Sequence, residues 1–155
     1  MAYQISGLAV EQFVPLFGRS DAQLADQGIV RVQADSAPGY PCRITLEDAE
    51  IGETLLLLNY QDHNVATPYR NAYAIYVREK AAGTAHLHDT LPGVFANRPI
   101  ALRGFDAQGM LRGASLALKG DADARIRELF DRPDIAYLHA HNAAHGCFSA
   151  RIDRA

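Results

Sequence analysis

The 155-residue sequence has only two cysteines, Cys42 and Cys147, and it lacks any stretch of the roughly 18 apolar residues that a membrane span requires. Two cysteines do not make a disulfide framework, and a reducing compartment keeps them as thiols. The longest aliphatic run, residues 55–58, has the length of a strand. The first residues lack the basic start and continuous apolar segment of a signal peptide. We therefore predict a cytoplasmic protein without a membrane partner.

An excess of positive charge is also missing. The formal net charge is -3 at pH 7, and the isoelectric point is close to 6.0. Binding of nucleic acid needs clustered basic side chains that neutralise phosphates, so we predict no nucleic-acid partner. The glycine-rich patterns that hold nucleotide phosphates do not occur either. We accordingly predict no cofactor.

What is present is the composition of an ordinary globular protein, with 48% hydrophobic and 21% charged residues. No repeat or linker interrupts the chain, so residues 1–155 are predicted to form a single domain. Strand-like segments follow one another without the βαβ rhythm of a parallel sheet. We predict an α+β fold with a largely antiparallel, curled β-sheet. Short N-terminal helices and one helix before a C-terminal β-hairpin complete it.

Two segments in the first half of the chain carry specific expectations. Residues 54–60 are too apolar for a half-exposed strand, which predicts a central strand covered on both faces. Asn59 would then be buried and would need hydrogen-bond partners. Residues 43–46 are predicted to form another strand, directly after a loop rich in proline and glycine.

Residues 135–151 hold three of the six histidines and one of the two cysteines. Their alternating character predicts two short strands around a turn near Asn142 and Gly146. Alternate side chains of a strand share a face, so the polar groups are expected on one side of this hairpin. The predicted register pairs His141 with Cys147, His139 with Ser149, and Tyr137 with Arg151. The opposite, core-facing side is then apolar: Leu138, Ala140, Phe148, Ala150 and Ile152.

Three segments of the sequence together resemble a known bacterial family. They are Pro38-Gly-Tyr-Pro-Cys-Arg43 with Leu46-Glu-Asp-Ala49, Leu55-Leu-Leu-Leu-Asn-Tyr60 with Thr67-Pro-Tyr-Arg70, and Tyr137-Leu-His-Ala-His-Asn142 with Gly146-Cys147. The combination is similar to the family catalogued as domain of unknown function 1203, over nearly the whole chain. This resemblance implies a stand-alone, single-domain bacterial protein. It implies no activity, substrate or cofactor.

The spacing of His139 and His141 raises the possibility of a metal site. Two imidazoles at this spacing on a strand lie about 6.5–7 Å apart along the chain, within reach of one ion. His145 or Cys147 could supply a third ligand, and a thiolate with imidazoles would suit zinc. The carboxylates that accompany similar spacings in metallohydrolases and cupins are missing at the expected places. We favour the simpler interpretation of histidines hydrogen-bonded to neighbours or solvent.

A nucleophilic thiol is a second possibility. Cys147 would have His141 across the predicted ladder as a base and Arg151 further along as a positive charge. Cys42 could join the same pocket if its loop packs near the hairpin. Free cysteines are more often small apolar fillers of the interior, and we favour that role for each of the two.

The hypothesis that we favour is binding of a small anionic metabolite in a polar pocket around the hairpin, with turnover left open. Arginine side chains would neutralise the ligand, and imidazoles would carry protons. The catalytic candidates are His139, His141 and Cys147. The candidates for ligand binding are Tyr40, Cys42, Arg43, Asn59, Arg70, Tyr137, Asn142, Ser149 and Arg151. The second hypothesis is a non-enzymatic metal-binding or protein-interaction module, with His139, His141 and His145 as ligands or a homodimer as the assembly.

Overall fold

The computed structural model describes residues 1–155 and contains two antiparallel β-sheets, two α-helices and three short 3-10 helices. The strands are β1 (Tyr3–Ser6), β2 (Val30–Gln33), β3 (Thr54–His63), β4 (Asn71–Arg78), β5 (His86–His88), β6 (Ile100–Phe105), β7 (Leu111–Ala117), β8 (Tyr137–Asn142) and β9 (Phe148–Arg154). The α-helices are α1 (Asp21–Ala25) and α2 (Ala122–Phe130), and the 3-10 helices are Val10–Gln12, Val14–Leu16 and Gly93–Phe95. The predicted α+β class is confirmed. None of the helices has the length and apolar character needed to cross a membrane.

The strands divide between two sheets, whereas the sequence predicted one. The larger sheet has the order β5-β1-β9-β8-β6-β7, and the smaller has the order β2-β3-β4. The predicted C-terminal hairpin of β8 and β9 is present and lies in the middle of the larger sheet. Strand β3 is central in the smaller sheet, as its apolar run predicted. Asn59 is nevertheless exposed, because beyond Leu58 the exposure of the side chains alternates and only one face of β3 stays covered.

Each sheet has its own hydrophobic core. Helix α2 packs on one face of the larger sheet and buries Ile126 and Phe130 beside Leu138 and Ile152. The N-terminal helices bury a second apolar cluster against the smaller sheet. Because α2 occupies one face of β8, the opposite face is left to meet the end of β3.

The register of the C-terminal hairpin differs from the predicted register. His139 lies opposite Arg151 rather than Ser149, and Tyr137 lies opposite Asp153 rather than Arg151. A β-bulge interrupts the ladder after Ala140, and Ser149 is the extra residue.

The bulge also changes which way Phe148 points. His141 lies opposite Phe148 instead of Cys147, and the Phe148 ring packs edge-on against both histidine rings of β8. The prediction that Phe148 faces the core is therefore wrong, because one inserted residue reverses the alternation. The four other predicted core residues do join the α2 core: Leu138, Ala140, Ala150 and Ile152.

The strand predicted over residues 43–46 is a turn. Cys42 makes one isolated bridge to Tyr76, and its Sγ atom then accepts the backbone N–H groups of Ile44 and Thr45. These bonds curl the backbone around the thiol. The thiol of Cys42 is fully buried and accepts hydrogen bonds from backbone donors.

Candidate metal centre

The polar face of β8 is covered by the end of β3. Tyr137, His139 and His141 share the face opposite the α2 core, as the alternation of the sequence predicted, yet all three are buried. The cover comes from Asp62 and His63 at the end of β3. The polar groups of the hairpin are thus enclosed between the two sheets.

An irregularity in β3 brings two consecutive residues to this site. The pairing of β3 with β4 shifts register between Tyr60 and His63. In a regular strand, Asp62 and His63 would point to opposite faces. Here the side chain of Asp62 lies beside His139, and the His63 ring packs 4.1 Å from the ring of Phe105.

Three potential ligand atoms converge at this point. Asp62 Oδ2 lies 3.8 Å from His139 Nδ1 and 3.9 Å from His141 Nε2, and the three atoms all lie within 4.8 Å of one another. Both distances are too long for hydrogen bonds. Asp62 Oδ2 and His139 Nδ1 are buried and have no hydrogen-bond partner. A buried polar atom without a partner costs about 1–3 kcal/mol, so two such atoms facing each other need an explanation.

Surrounding groups orient two of these side chains. Asn71 Nδ2 donates a hydrogen bond to Asp62 Oδ1 at 2.7 Å. His141 Nδ1 lies 2.9 Å from the carbonyl oxygen of Gly146, which can only accept, so Nδ1 carries the proton in the neutral ring. The lone pair of Nε2 therefore points toward Asp62. Such outer hydrogen bonds are typical of residues that bind metals.

The protonation states suit a cation. Burial lowers the pKa of His139, and burial lowers the pKa of His141 to about 4. Burial acts to raise the pKa of Asp62, but the neighbouring His139 and the Asn71 amide outweigh it and the net shift is downward. At neutral pH the site holds one carboxylate and two neutral imidazoles.

The three residues border a cavity of about 250 Å³. Arg103 also lines this cavity, and it lies directly opposite His139 across the ladder of β6 and β8. Its guanidinium forms no salt bridge with any carboxylate, and its charge contributes to lowering the pKa of His141. Phe105, Leu111 and Ala114 supply apolar walls. The cavity thus combines a ligand set with one arginine that forms no salt bridge.

A second cavity, of about 400 Å³, is lined by other residues that the sequence predicted as site residues. Arg43, Asn142, His145 and Cys147 line it, and it shares no lining residue with the first cavity. His145 is exposed there and does not converge with His139 and His141. Cys147 also lies apart from the predicted position opposite His141, because the hairpin register differs.

The remaining predicted site residues lie outside both cavities. Arg70 is exposed like Asn59, and the hydroxyl of Tyr40 donates to Asp35. Arg151 is exposed, pairs with Asp153, and stacks over the Tyr137 ring at 4.1 Å. Ser149 is fully buried at the bulge, and its hydroxyl has no partner. The hairpin therefore does not form one shared pocket.

Four residues of the site were not predicted from the sequence: Asp62, His63, Asn71 and Arg103. The signal in the sequence was the polar pair Asp62-His63, which lies shortly after the apolar run of residues 55–58. Nothing in the sequence linked that pair to the histidines of β8, because the link is made by the packing of two sheets.

Residues 39–154 match a family model described as "Protein of unknown function (DUF1203)". The matched region includes all three converging residues and both cavities. No curated protein and no solved structure matches the chain.

Proposed function

The chain belongs to the DUF1203 family, whose description states no activity, and we propose from the geometry of the site that it binds a divalent transition-metal ion through Asp62, His139 and His141. The observation that carries this proposal is the convergence of a buried carboxylate oxygen and two imidazole nitrogens. Two of these three atoms have no other partner.

The distances from the carboxylate oxygen to the two imidazole nitrogens are close to those expected between ligands of one bound ion. Ligand atoms each about 2.1 Å from one tetrahedral ion lie roughly 3.4 Å apart. The distances of 3.8 and 3.9 Å from Asp62 Oδ2 exceed this by about half an ångström, and the two imidazole nitrogens lie within 4.8 Å of each other. Rotation of the three side chains toward a shared ion would close these gaps. Two imidazoles with one carboxylate favour zinc, iron, manganese or cobalt over magnesium and calcium, which prefer oxygen ligands.

Ion pairs between histidine and aspartate account less well for the same contacts. Such a pair would need protonated imidazoles within hydrogen-bonding distance of the carboxylate. Burial lowers the pKa of both histidines, and the interatomic distances are too long. A metal ion would satisfy all three atoms at once.

Three protein ligands leave coordination positions for water or for a small molecule, as in catalytic rather than structural zinc sites. The ion would bring two positive charges against one carboxylate, and Arg103 adds another positive charge. A small anionic metabolite is therefore the ligand class that suits the surplus charge. The free thiols of Cys42 and Cys147 support a cytoplasmic location for this activity.

Metal titration of tag-free protein tests the proposal. Protein stripped with a chelator should bind one Zn²⁺ or Co²⁺ per chain by calorimetry, and Asp62→Asn and His141→Gln should each abolish this binding. The double variant His86→Ala, His88→Ala is a matched control, because β5 carries the same His-x-His spacing on exposed side chains. Failure to bind one ion, or equal loss of binding in the control, would overturn the proposal.

A further inference from the structure

The larger cavity, of about 400 Å³, has the size of a small-molecule site. Its walls are largely apolar, with Leu57, Tyr76 and Pro99 among them. A few polar groups interrupt these walls, and two of them are almost completely buried: Arg43 is 1% exposed and Asn142 is 6% exposed. Apolar walls with few polar groups are typical of pockets that bind organic ligands.

Arg43 is a buried cation without an anionic partner. Its Nε donates to the carbonyl of Phe148, its Nη1 donates to the carbonyl of Pro41, and its Nη2 donates to Cys147 Sγ at 3.0 Å. A guanidinium has five N–H donors, so one donor on Nη1 and one on Nη2 remain. Burial lowers the pKa of Arg43, which is the expected response of a charge removed from water without a counter-ion.

Asn142 is the second buried group that lacks a partner. Its Oδ1 is buried without a hydrogen bond, and its side-chain amide forms no hydrogen bond elsewhere. The backbone of Asn142 is fixed by its pairing with β6 and by a bond to the carbonyl of Cys147. The backbone at Asn142 is therefore fixed at the wall of the cavity, and the polar atoms of its side chain are unused.

The charges around the cavity leave a surplus of one positive charge. Arg98 lines the same cavity, but both of its terminal nitrogens pair with the carboxylate of Asp48. Asp48 is therefore not available to Arg43, and the charge of Arg98 adds to the lowering of the pKa of Arg43. No carboxylate forms a salt bridge with Arg43.

We infer that this cavity is a binding site for a small organic monocarboxylate, separate from the metal centre. The carboxylate would accept the free N–H groups of Arg43 and the Nδ2 group of Asn142. The apolar body of the ligand would lie against Tyr76 and Leu57. A single guanidinium with two remaining donors matches one carboxylate, whereas a phosphate dianion would need more donors and more positive charge.

Protection of Cys147 from alkylation provides a direct test. Cys147 lines the cavity and is 9% exposed, whereas Cys42 is fully buried, so iodoacetamide should label Cys147 first. Saturating 3-phenylpropionate should slow this labelling about tenfold or more, as judged by mass spectrometry of the peptide that contains Cys147. The neutral analogue 3-phenylpropanamide should protect at least tenfold less well at equal concentration, because it offers Arg43 no negative charge.

Variants distinguish this site from the metal centre. Asn142→Leu should weaken protection by 3-phenylpropionate about tenfold, and Arg43→Met should abolish it. Asn142→Leu keeps the test decisive if Arg43→Met fails to fold. Asp62→Asn should leave the protection unchanged, since Asp62 lies in the other cavity. Equal protection by acid and amide, no protection at millimolar concentration, or loss of protection in Asp62→Asn would each overturn the inference.

Discussion

Asp62 Oδ2 and His139 Nδ1 lie 3.8 Å apart in the interior, and neither atom has a hydrogen-bond partner. Asp62 comes from the smaller sheet and His139 from the larger one, so the contact joins the two halves of the fold. His141 Nε2 lies 3.9 Å from the same carboxylate oxygen. Two buried polar atoms without partners lower the stability of the folded protein unless a bound ligand satisfies them.

Asp62→Asn should abolish stabilisation by zinc without destabilising the metal-free protein. The asparagine can keep the hydrogen bond from Asn71 while removing a buried negative charge. We expect the metal-free variant to be as stable as the natural protein, or more stable by about 1 kcal/mol. The natural protein should gain about 2.7 kcal/mol when free Zn²⁺ is one hundred times its dissociation constant, and the variant should gain nothing.

Urea unfolding with chelator and with buffered Zn²⁺ measures both effects for Asp62→Asn. The exposed pair His86 and His88 should contribute nothing to the zinc effect, so its double alanine variant is the control. An equal gain in the natural protein and in Asp62→Asn would place the zinc elsewhere on the chain.

Tyr137→Phe should affect stability without affecting the metal. His63 Nδ1 lies 2.8 Å from the carbonyl of Tyr69, and Nε2 accepts the hydroxyl of Tyr137 at 2.7 Å. Loss of the hydroxyl leaves a buried ring nitrogen unsatisfied, which should lower the free energy of unfolding by about 1–3 kcal/mol. Zinc affinity should stay within about twofold, since Tyr137 is not one of the three converging ligands.

Calorimetry and denaturant unfolding of the same Tyr137→Phe preparation separate the two effects. A tenfold loss of zinc affinity at unchanged stability would instead place Tyr137 in the metal site. Tyr73→Phe is a matched control, because the Tyr73 side chain is exposed and its hydroxyl forms no hydrogen bond.

The sequence was informative where local pattern decides structure. Alternation placed Leu138 and Ile152 on the core side and the two histidines of β8 on the other side, and both placements are confirmed. The apolar run in β3 likewise predicted a central strand. In each case, the side-chain period of a strand was enough to determine the result.

The sequence failed where one residue alters the alternation or where two sheets meet. The bulge at Ser149 turned Phe148 toward the histidines, and no residue type in the hairpin signals that insertion. The irregular end of β3 then supplied Asp62, the carboxylate that seemed to be missing from the histidine motif. Both features depend on long-range packing, which local patterns do not encode.

The pH dependence of stability should contain a contribution from Glu53. Hydrogen bonds from Arg78 lower the pKa of Glu53 from 4.5 to about 2, and its side chain is only 8% exposed. A carboxyl with a depressed pKa stabilises the folded state above pH 4.5 and loses that contribution as the pH falls toward 2. We expect Glu53→Gln to be less stable at pH 6 and to lose less stability over this range.

Urea unfolding at intervals between pH 6 and pH 2 measures the effect of Glu53→Gln. Glu50→Gln is the matched control, because Glu50 belongs to the same turn and its exposed carboxylate forms no salt bridge. Parallel curves for the natural protein and Glu53→Gln would show that the ion pair with Arg78 does not govern acid stability.

Gly7→Ala should destabilise the turn that positions Arg43. A Cβ atom at Gly7 would lie 2.1 Å from the carbonyl oxygen of Ile44, and the next residue, Leu8, donates its N–H to the carbonyl of Arg43. Backbone atoms cannot rotate away as a flexible side chain can, so we expect a loss of about 3 kcal/mol or more in the free energy of unfolding. Gly83→Ala, where a Cβ atom would enter open space, should change stability by less than about 1 kcal/mol. Thermal and urea unfolding of the two variants side by side measure this contrast. Similar stabilities would mean that the backbone segments at Gly7 and Ile44 can move apart without a loss of stability.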